Sequence, residues 1–198
     1  MARFDVDSIL EAINYRYETK PLALVAIDGV GGAGKSTLAR ELAYRSESIL
    51  VVQTVNFYRP MDPKTRYNLT PEEGYMLYYD WERLRDQVLI PLSQGKPCRY
   101  QRYSWVESKL KDWVEIHPQG IVLVEGVFSF RPELRRYYDF SIFVTASESE
   151  RYRRQIVRKE NPKEWIERWM AAENWYIKHH APQDAADLLV DGNEMVMH

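Results

Sequence analysis

Cysteine is nearly missing from this 198-residue sequence, with Cys98 standing alone. A single thiol has no partner for an internal disulfide, so a reducing, intracellular setting is the simpler expectation. A basic excess is missing too: the net charge of −2 argues against the broad positive footprint of a nucleic-acid binder. No uninterrupted apolar run is long enough to span a bilayer. The opening residues, Met-Ala-Arg-Phe-Asp-Val-Asp, place acids where a secretory leader carries its apolar stretch. The expectation is a cytoplasmic protein with no nucleic-acid and no membrane partner. Repeats, low-complexity tracts and long linkers are also lacking, so the chain reads as one domain over residues 1–198, large enough to bury a core.

What the sequence does have is rings: 14 Tyr and 6 Trp, many of them between Tyr75 and Trp113. Aromatic faces can stack on a planar substrate, but packing is the commoner use of any single ring.

Along the chain, Val6, Ile9, Leu10 and Ile13 fall at helical spacing. The apolar run Leu22 to Ile27 stops at Asp28-Gly29, as a buried strand entering a tight turn would. Leu38, Leu42 and Ala43 mark a following helix, and Ile49 to Val55 a second strand rich in β-branched residues. Pro60, Pro63 and Pro71 break up the next stretch. Asp80 can cap a helix carrying Leu84, Val88, Leu89 and Leu92, with Pro91 disturbing its last turn. Arg99 to Trp113 reads equally as a hairpin or as a loop over the site. Ile121 to Val124, Phe140 to Val144 and Leu188 to Val190 are strand patterns. Ser147 with Glu150 opens a helix to about Glu160, and Asn161-Pro162 with Glu164 starts the next. Strands alternating with helices predict a three-layer α/β/α fold around a mainly parallel five-stranded sheet, with ligands at the strand C-termini.

Gly29-Val30-Gly31-Gly32-Ala33-Gly34-Lys35-Ser36-Thr37 satisfies the phosphate-loop pattern G-x-x-x-x-G-K-[ST] and lies between a predicted strand and a predicted helix. Glycines let successive N–H groups turn inward toward phosphate oxygens, and the helix N-terminus favours an anion. Lys35 supplies charge for the β- and γ-phosphates, and Ser36 a hydroxyl for Mg²⁺. The fold expected is therefore that of the P-loop NTPases. No Asn-Lys-x-Asp segment of the kind that reads guanine is present, which favours ATP. Glu125 directly follows an apolar run, where a strand C-terminus would offer an acid to a bound cation. Arg151, Arg154 and Arg158 recur at i, i+3 and i+7 on one helix face, and a lid over about residues 150–165 could use them to neutralise phosphoryl charge. Arg153 lies off that line, as a solvent-exposed residue would.

In their order, Ile27-Asp28-Gly29 with the loop, Asn56-Phe57-Tyr58-Arg59-Pro60, Tyr79-Asp80-Trp81, Tyr103-Ser104-Trp105, Glu125-Gly126-Val127, the arginines from Arg151 to Arg158, and Ala186-Asp187 with Asp191-Gly192 resemble the uridine kinase family, within a wider group that includes phosphoribulokinase and bacterial pantothenate kinase. The resemblance spans about Leu22 to Gly192. It implies an ATP- and Mg²⁺-dependent kinase acting on a nucleoside-like small-molecule acceptor. Lys35, Glu125 and Arg158 would serve catalysis, and Ser36 and Glu125 the metal. Gly29, Gly31, Gly32, Ala33, Gly34, Lys35, Ser36, Thr37 and Arg154 would hold the nucleotide. Asp80, Tyr103, Trp105 and Arg151 would face the acceptor. Assembly into a homo-oligomer stays open.

The departures are as specific. Where the family pattern reads Asp-x-Phe-Tyr, with the aspartate as catalytic base, this chain has Val55-Asn56-Phe57-Tyr58. Tyr103-Ser104-Trp105 stands in place of Tyr-Asp-Trp, and the base-facing histidine of some members has no match near Ser108. Asp28 could substitute for the missing base or brace the loop. Two alternatives stay beside the kinase: an ATP-binding sensor or partner without transfer, and a nucleoside monophosphate kinase.

Overall fold

The structure, a computed structural model, describes residues 5–17 and 20–193. Seven strands and nine short and long helices follow one another among the described residues. Helix α1 (Val6–Tyr17) leads into β1 (Leu22–Gly29), the phosphate-loop segment and α2 (Lys35–Arg45); β2 (Ile49–Gln53) follows. These are joined by β5 (Gly120–Glu125), β6 (Phe140–Thr145) and β7 (Leu188–Asp191) in one sheet of order β2-β5-β1-β6-β7. Every pairing in it is parallel.

Both faces of that sheet are covered, which is why β1 and β5 are buried at every position and show no polar alternation. The two-residue period still sorts their side chains. Ala23, Val25, Ile27, Ile121 and Leu123 pack with Ile9, Ile13, Leu38 and Leu42 of α1 and α2. Leu22, Leu24, Val122 and Val124 face the other way, onto Leu84, Val88, Leu89 and Leu92. The three layers expected from the sequence are therefore present.

On that second face, α3 (Pro63–Tyr67) and α4 (Pro71–Leu77) precede a continuous helical run: α5 (Trp81–Leu84), a π-helical turn (Arg85–Leu89) and α6 (Ile90–Ser93). Asp80 caps this run by accepting the Arg83 N–H at 3.2 Å. The disturbance expected from Pro91 falls a turn earlier than its own position. Its ring crowds the carbonyl four residues back, and the widened turn bonds Ile90 N–H to the Arg85 carbonyl. Arg99 to Trp113 resolves as an antiparallel hairpin of β3 (Cys98–Ser104) and β4 (Lys109–Ile116).

Two boundaries differ from expectation. Strand β2 ends at Gln53, and Val55 lies in a 3₁₀ turn, Thr54–Phe57. Helix α7 (Glu148–Arg158) begins at the Ser147 cap, but α8 (Lys163–His180) takes Pro162 as its cap where Asn161 was expected, because Pro162 itself is extended (ψ 151°). A last turn, α9 (Pro182–Ala185), precedes β7. A third apolar cluster joins α4 to α8 through Tyr75, Tyr78, Ala172 and Tyr176. Among the described residues no helix is long and apolar enough to cross a membrane.

Candidate active site

Strand β1 delivers Asp28 and Gly29 to the carboxyl edge of the sheet, and the loop turns there into α2. Gly34, at φ 109°, makes the turn in a left-handed conformation that a side chain would disfavour. Lys35 opens α2 and is buried; its ammonium donates to the Val30 carbonyl at 2.9 Å. Burial pushes the Lys35 pKa down, while Glu173, Glu125 and Asp28 counter that effect.

Ser36 and Glu125 meet as the sequence implied. The Ser36 hydroxyl donates to Glu125 Oε2 at 3.3 Å, and Gln53 Nε2 donates to Glu125 Oε1 at 3.1 Å. One hydroxyl and one carboxylate, both oxygen donors, suit Mg²⁺, which takes few protein ligands and completes its shell with water and phosphate. A cavity of ≈ 280 Å³ opens over them, walled by Lys35, Thr54, Val55, Tyr79, Val127 and Arg158. A second, of ≈ 360 Å³, lies beyond the loop between Thr37, Arg154, Arg158 and Gly192. Arg158 borders both.

Asp28 is fully buried and accepts from four donors: the Gly29, Phe128 and Phe130 amides at 2.6, 3.0 and 2.9 Å, and the Tyr176 hydroxyl at 2.8 Å. Its carboxylate is committed to bracing the loop, the second of the two roles open to it. Arg154 also braces, donating to the Gly32 carbonyl at 3.1 Å and the Gly192 carbonyl at 3.0 Å. Gly192 fits so closely that a Cβ there would lie 1.8 Å from the Ala33 carbonyl oxygen. Arg153 points outward and pairs with Glu150 at 2.7 Å, as its place off the arginine line required.

Arg151 is a correction. Expected at the acceptor, it is buried behind the loop, donating to Asn174 Oδ1 at 2.7 Å and lying 3.7 Å from Glu173 Oε2. Its backbone packs against Gly32 of the loop, and its side chain is held between α7 and α8 by Asn174 and Glu173. Asp80 is spent on its helix cap, stands 3.5 Å from Arg59 Nη2, and does not line the cavity. Tyr103 is buried with its ring 5.4 Å from that of Tyr58, and the half-exposed Trp105 lies 4.3 Å from the same ring. Both rings pack on Tyr58, and neither is among the residues that line the cavity where an acceptor contact was expected.

Gln53, Thr54, Tyr79, Val127 and Glu173 also belong to the site and were not singled out from the sequence. Tyr79 had a signal, since it adjoins Asp80 in a matched segment. Glu173 had one as well: it is an acid on the apolar face that α8 shows with Ile166, Met170 and Tyr176. Burial raises its pKa, with Lys35 and Arg151 opposing.

Comparison with known proteins bears on the family and the fold. Residues 24–183 match the sequence profile of the Phosphoribulokinase / Uridine kinase family. Similar curated proteins include the uridine kinase of Brevibacillus brevis, 26% identical over 144 residues that cover 68% of this chain and 65% of that protein. Another is the uridine kinase of Clostridium novyi, 29% identical over 144 residues, covering 68% and 67%. The chain thus spans about two thirds of the length of these relatives, and slightly less in the first case. Among solved structures, a possible uridine kinase from Bacillus stearothermophilus superposes with a TM-score of 0.73 at 22% identity, over 94% of this chain and 97% of that one, a likeness of fold. A profile match running from the first strand to the last short helix, on a parallel sheet whose carboxyl edge carries the phosphate loop, makes this chain a member of the phosphoribulokinase / uridine kinase family.

Proposed function

We propose that the chain transfers the γ-phosphate of ATP to a hydroxyl of an uncharged, nucleoside-like small molecule. The observation that carries this reading is the meeting of Ser36 and Glu125 at 3.3 Å, in the same cavity as Lys35 and Arg158. The loop amides and Lys35 hold the phosphates, and Arg158 reaches them from α7, which acts as the lid. Ser36 and Glu125 would hold Mg²⁺, which when bound neutralises charge between the β- and γ-phosphates. The adenine side of the donor fits the second cavity, beside Arg154 and Arg158.

Tyr79, Thr54, Val55 and Val127 wall the acceptor side. A monophosphate acceptor would need a cation beyond Lys35 and Arg158, which serve the donor on this reading; none other lines the cavity among the described residues, and Arg59, Arg66 and Arg83 are engaged elsewhere. Arg59 pairs with Asp80 and Glu82, Arg66 donates to the Arg59 and Met61 carbonyls, and Arg83 to those of Asn56 and Gln101. That supports an uncharged acceptor over a nucleoside monophosphate.

Val55 in the wall cannot accept a proton. A general base is worth about 10² to 10⁴ in rate. Phosphoryl transfer depends chiefly on positioning and charge neutralisation, so the remaining groups support slow transfer. Val55 equally motivates the second reading, an ATP-binding protein that transfers nothing. The deciding experiment incubates γ-labelled ATP with nucleosides, sugars and vitamin precursors. Label in one uncharged acceptor is the expected result; Mg-ATP binding with no labelled product would establish the second reading.

A further inference from the structure

Two carboxylates are buried against the phosphate loop, and they are provided for unequally. Asp28 has four donors. Glu173, 2% exposed in the middle of α8, has one hydrogen bond: its Oε1 accepts the Gly31 N–H at 2.9 Å. Its Oε2 is buried with no hydrogen-bond partner, and the nearest cation is Arg151 at 3.7 Å. Gln155 of α7 grips the other side of the same residue, donating to the Gly31 carbonyl at 3.4 Å. Glu173 and Tyr176, three apart on one face of α8, thus tie that helix to the loop and to β1 respectively.

An uncharged acceptor such as glutamine would satisfy the Gly31 amide without placing negative charge beside an anion site. A buried carboxylate left half-satisfied is costly, so the charge itself needs a use. The use at hand is Lys35, whose buried ammonium donates only to the carbonyl of Val30, the residue next to the Gly31 amide that Glu173 holds, and whose burial Glu173, Glu125 and Asp28 together partly offset.

Building on the phosphotransfer reading, we propose that Glu173 is a positioning residue: it fixes the Gly31 peptide and counter-charges Lys35 so that the ammonium is aimed for transfer, at the expense of nucleotide affinity. Affinity and rate then respond oppositely to loss of the charge. In Glu173→Gln, which keeps size and acceptor, the dissociation constant of a non-hydrolysable Mg-ATP analogue, measured by calorimetry, falls about three- to tenfold, while turnover with the best acceptor falls at least about tenfold. Glu173→Ala, which also orphans the Gly31 amide, weakens binding and slows turnover together. Gly31→Ala tests the latch with the charge retained, because the added Cβ would meet Glu173 Oε1 at 2.7 Å; it loses rate without gaining affinity. The proposal is overturned if Glu173→Gln leaves both constants within twofold of the unaltered chain, if it weakens binding as alanine does, or if Gly31→Ala turns over at full rate. The affinity arm reads out even if the chain transfers no phosphate. Only failure of the unaltered chain to bind the nucleotide removes the phosphate-site reading as well, and that result overturns both.

Discussion

On the side of the cleft proposed for the phosphates, the groups offered are backbone amides, Lys35 and Ser36, all within Gly29–Thr37, with Glu125 and Arg158 added from β5 and α7. On the side proposed for the acceptor, the cavity is walled by Val55 after β2, Tyr79 before α5 and Val127 after β5, and further rings stack outside that lining: Trp169 of α8 5.6 Å from Tyr79, and Tyr103 and Trp105 of the hairpin on Tyr58. A site of the first kind would recognise a charge pattern common to every nucleoside triphosphate, so one local motif suffices. The second must fit one acceptor, and its shape exists only when distant elements have packed. On the proposed reading, a change at Val55 would alter what happens to the acceptor and leave the donor's cradle intact.

That division can be broken or sharpened by substitution. Lys35→Ala should have the largest effect, a loss of about 10³-fold or more in labelled transfer, because among the described residues no other lysine lines the cavity. Near-normal turnover would show that the phosphates sit elsewhere. Glu125→Gln should follow, with a loss of about 10²-fold and a raised magnesium requirement in a titration of rate against metal. An unchanged requirement would remove Glu125 from the metal site. On the acceptor side, Val55→Asp should accelerate transfer by about tenfold or more while leaving the affinity for Mg-ATP alone. No gain with any acceptor would mean that proton removal has been rebuilt on another residue. Trp105→Ala should act least, raising the acceptor KM about two- to tenfold with the ATP KM unchanged. A change in the ATP constant instead would erase the boundary between the two halves.

The same contrast explains what could be read from the sequence. Strand, loop and helix of the phosphate site are contiguous, and a glycine pattern with one lysine has few other uses, so Gly29 to Thr37 and its flanking elements were legible. Glu125 was legible because an acid ending an apolar run stands at a strand terminus. Arg151 was not: shared helix face says nothing about which neighbour that face meets, and here α8 meets it first. Tyr103 and Trp105 were singled out for the acceptor, yet they pack on Tyr58 outside the cavity lining, a contact that depends on how the hairpin folds back, which no local pattern encodes. Glu173 showed only as an acid among apolar residues on α8, a signal whose meaning depends on a loop 142 positions away.

The contact between Gly192 and Ala33 has a consequence for synthesis. Gly192 N–H bonds to the Thr145 carbonyl at 2.7 Å, its own carbonyl takes Arg154, and it closes on the underside of a loop translated long before it. A chain still emerging from the ribosome carries the whole glycine motif but lacks the abutment that shapes it. Nucleotide should therefore protect the finished protein from proteolysis and leave a chain stopped ahead of β7 undefended. Competence to bind nucleotide would then depend on β7 being in place as well as on the glycine motif itself.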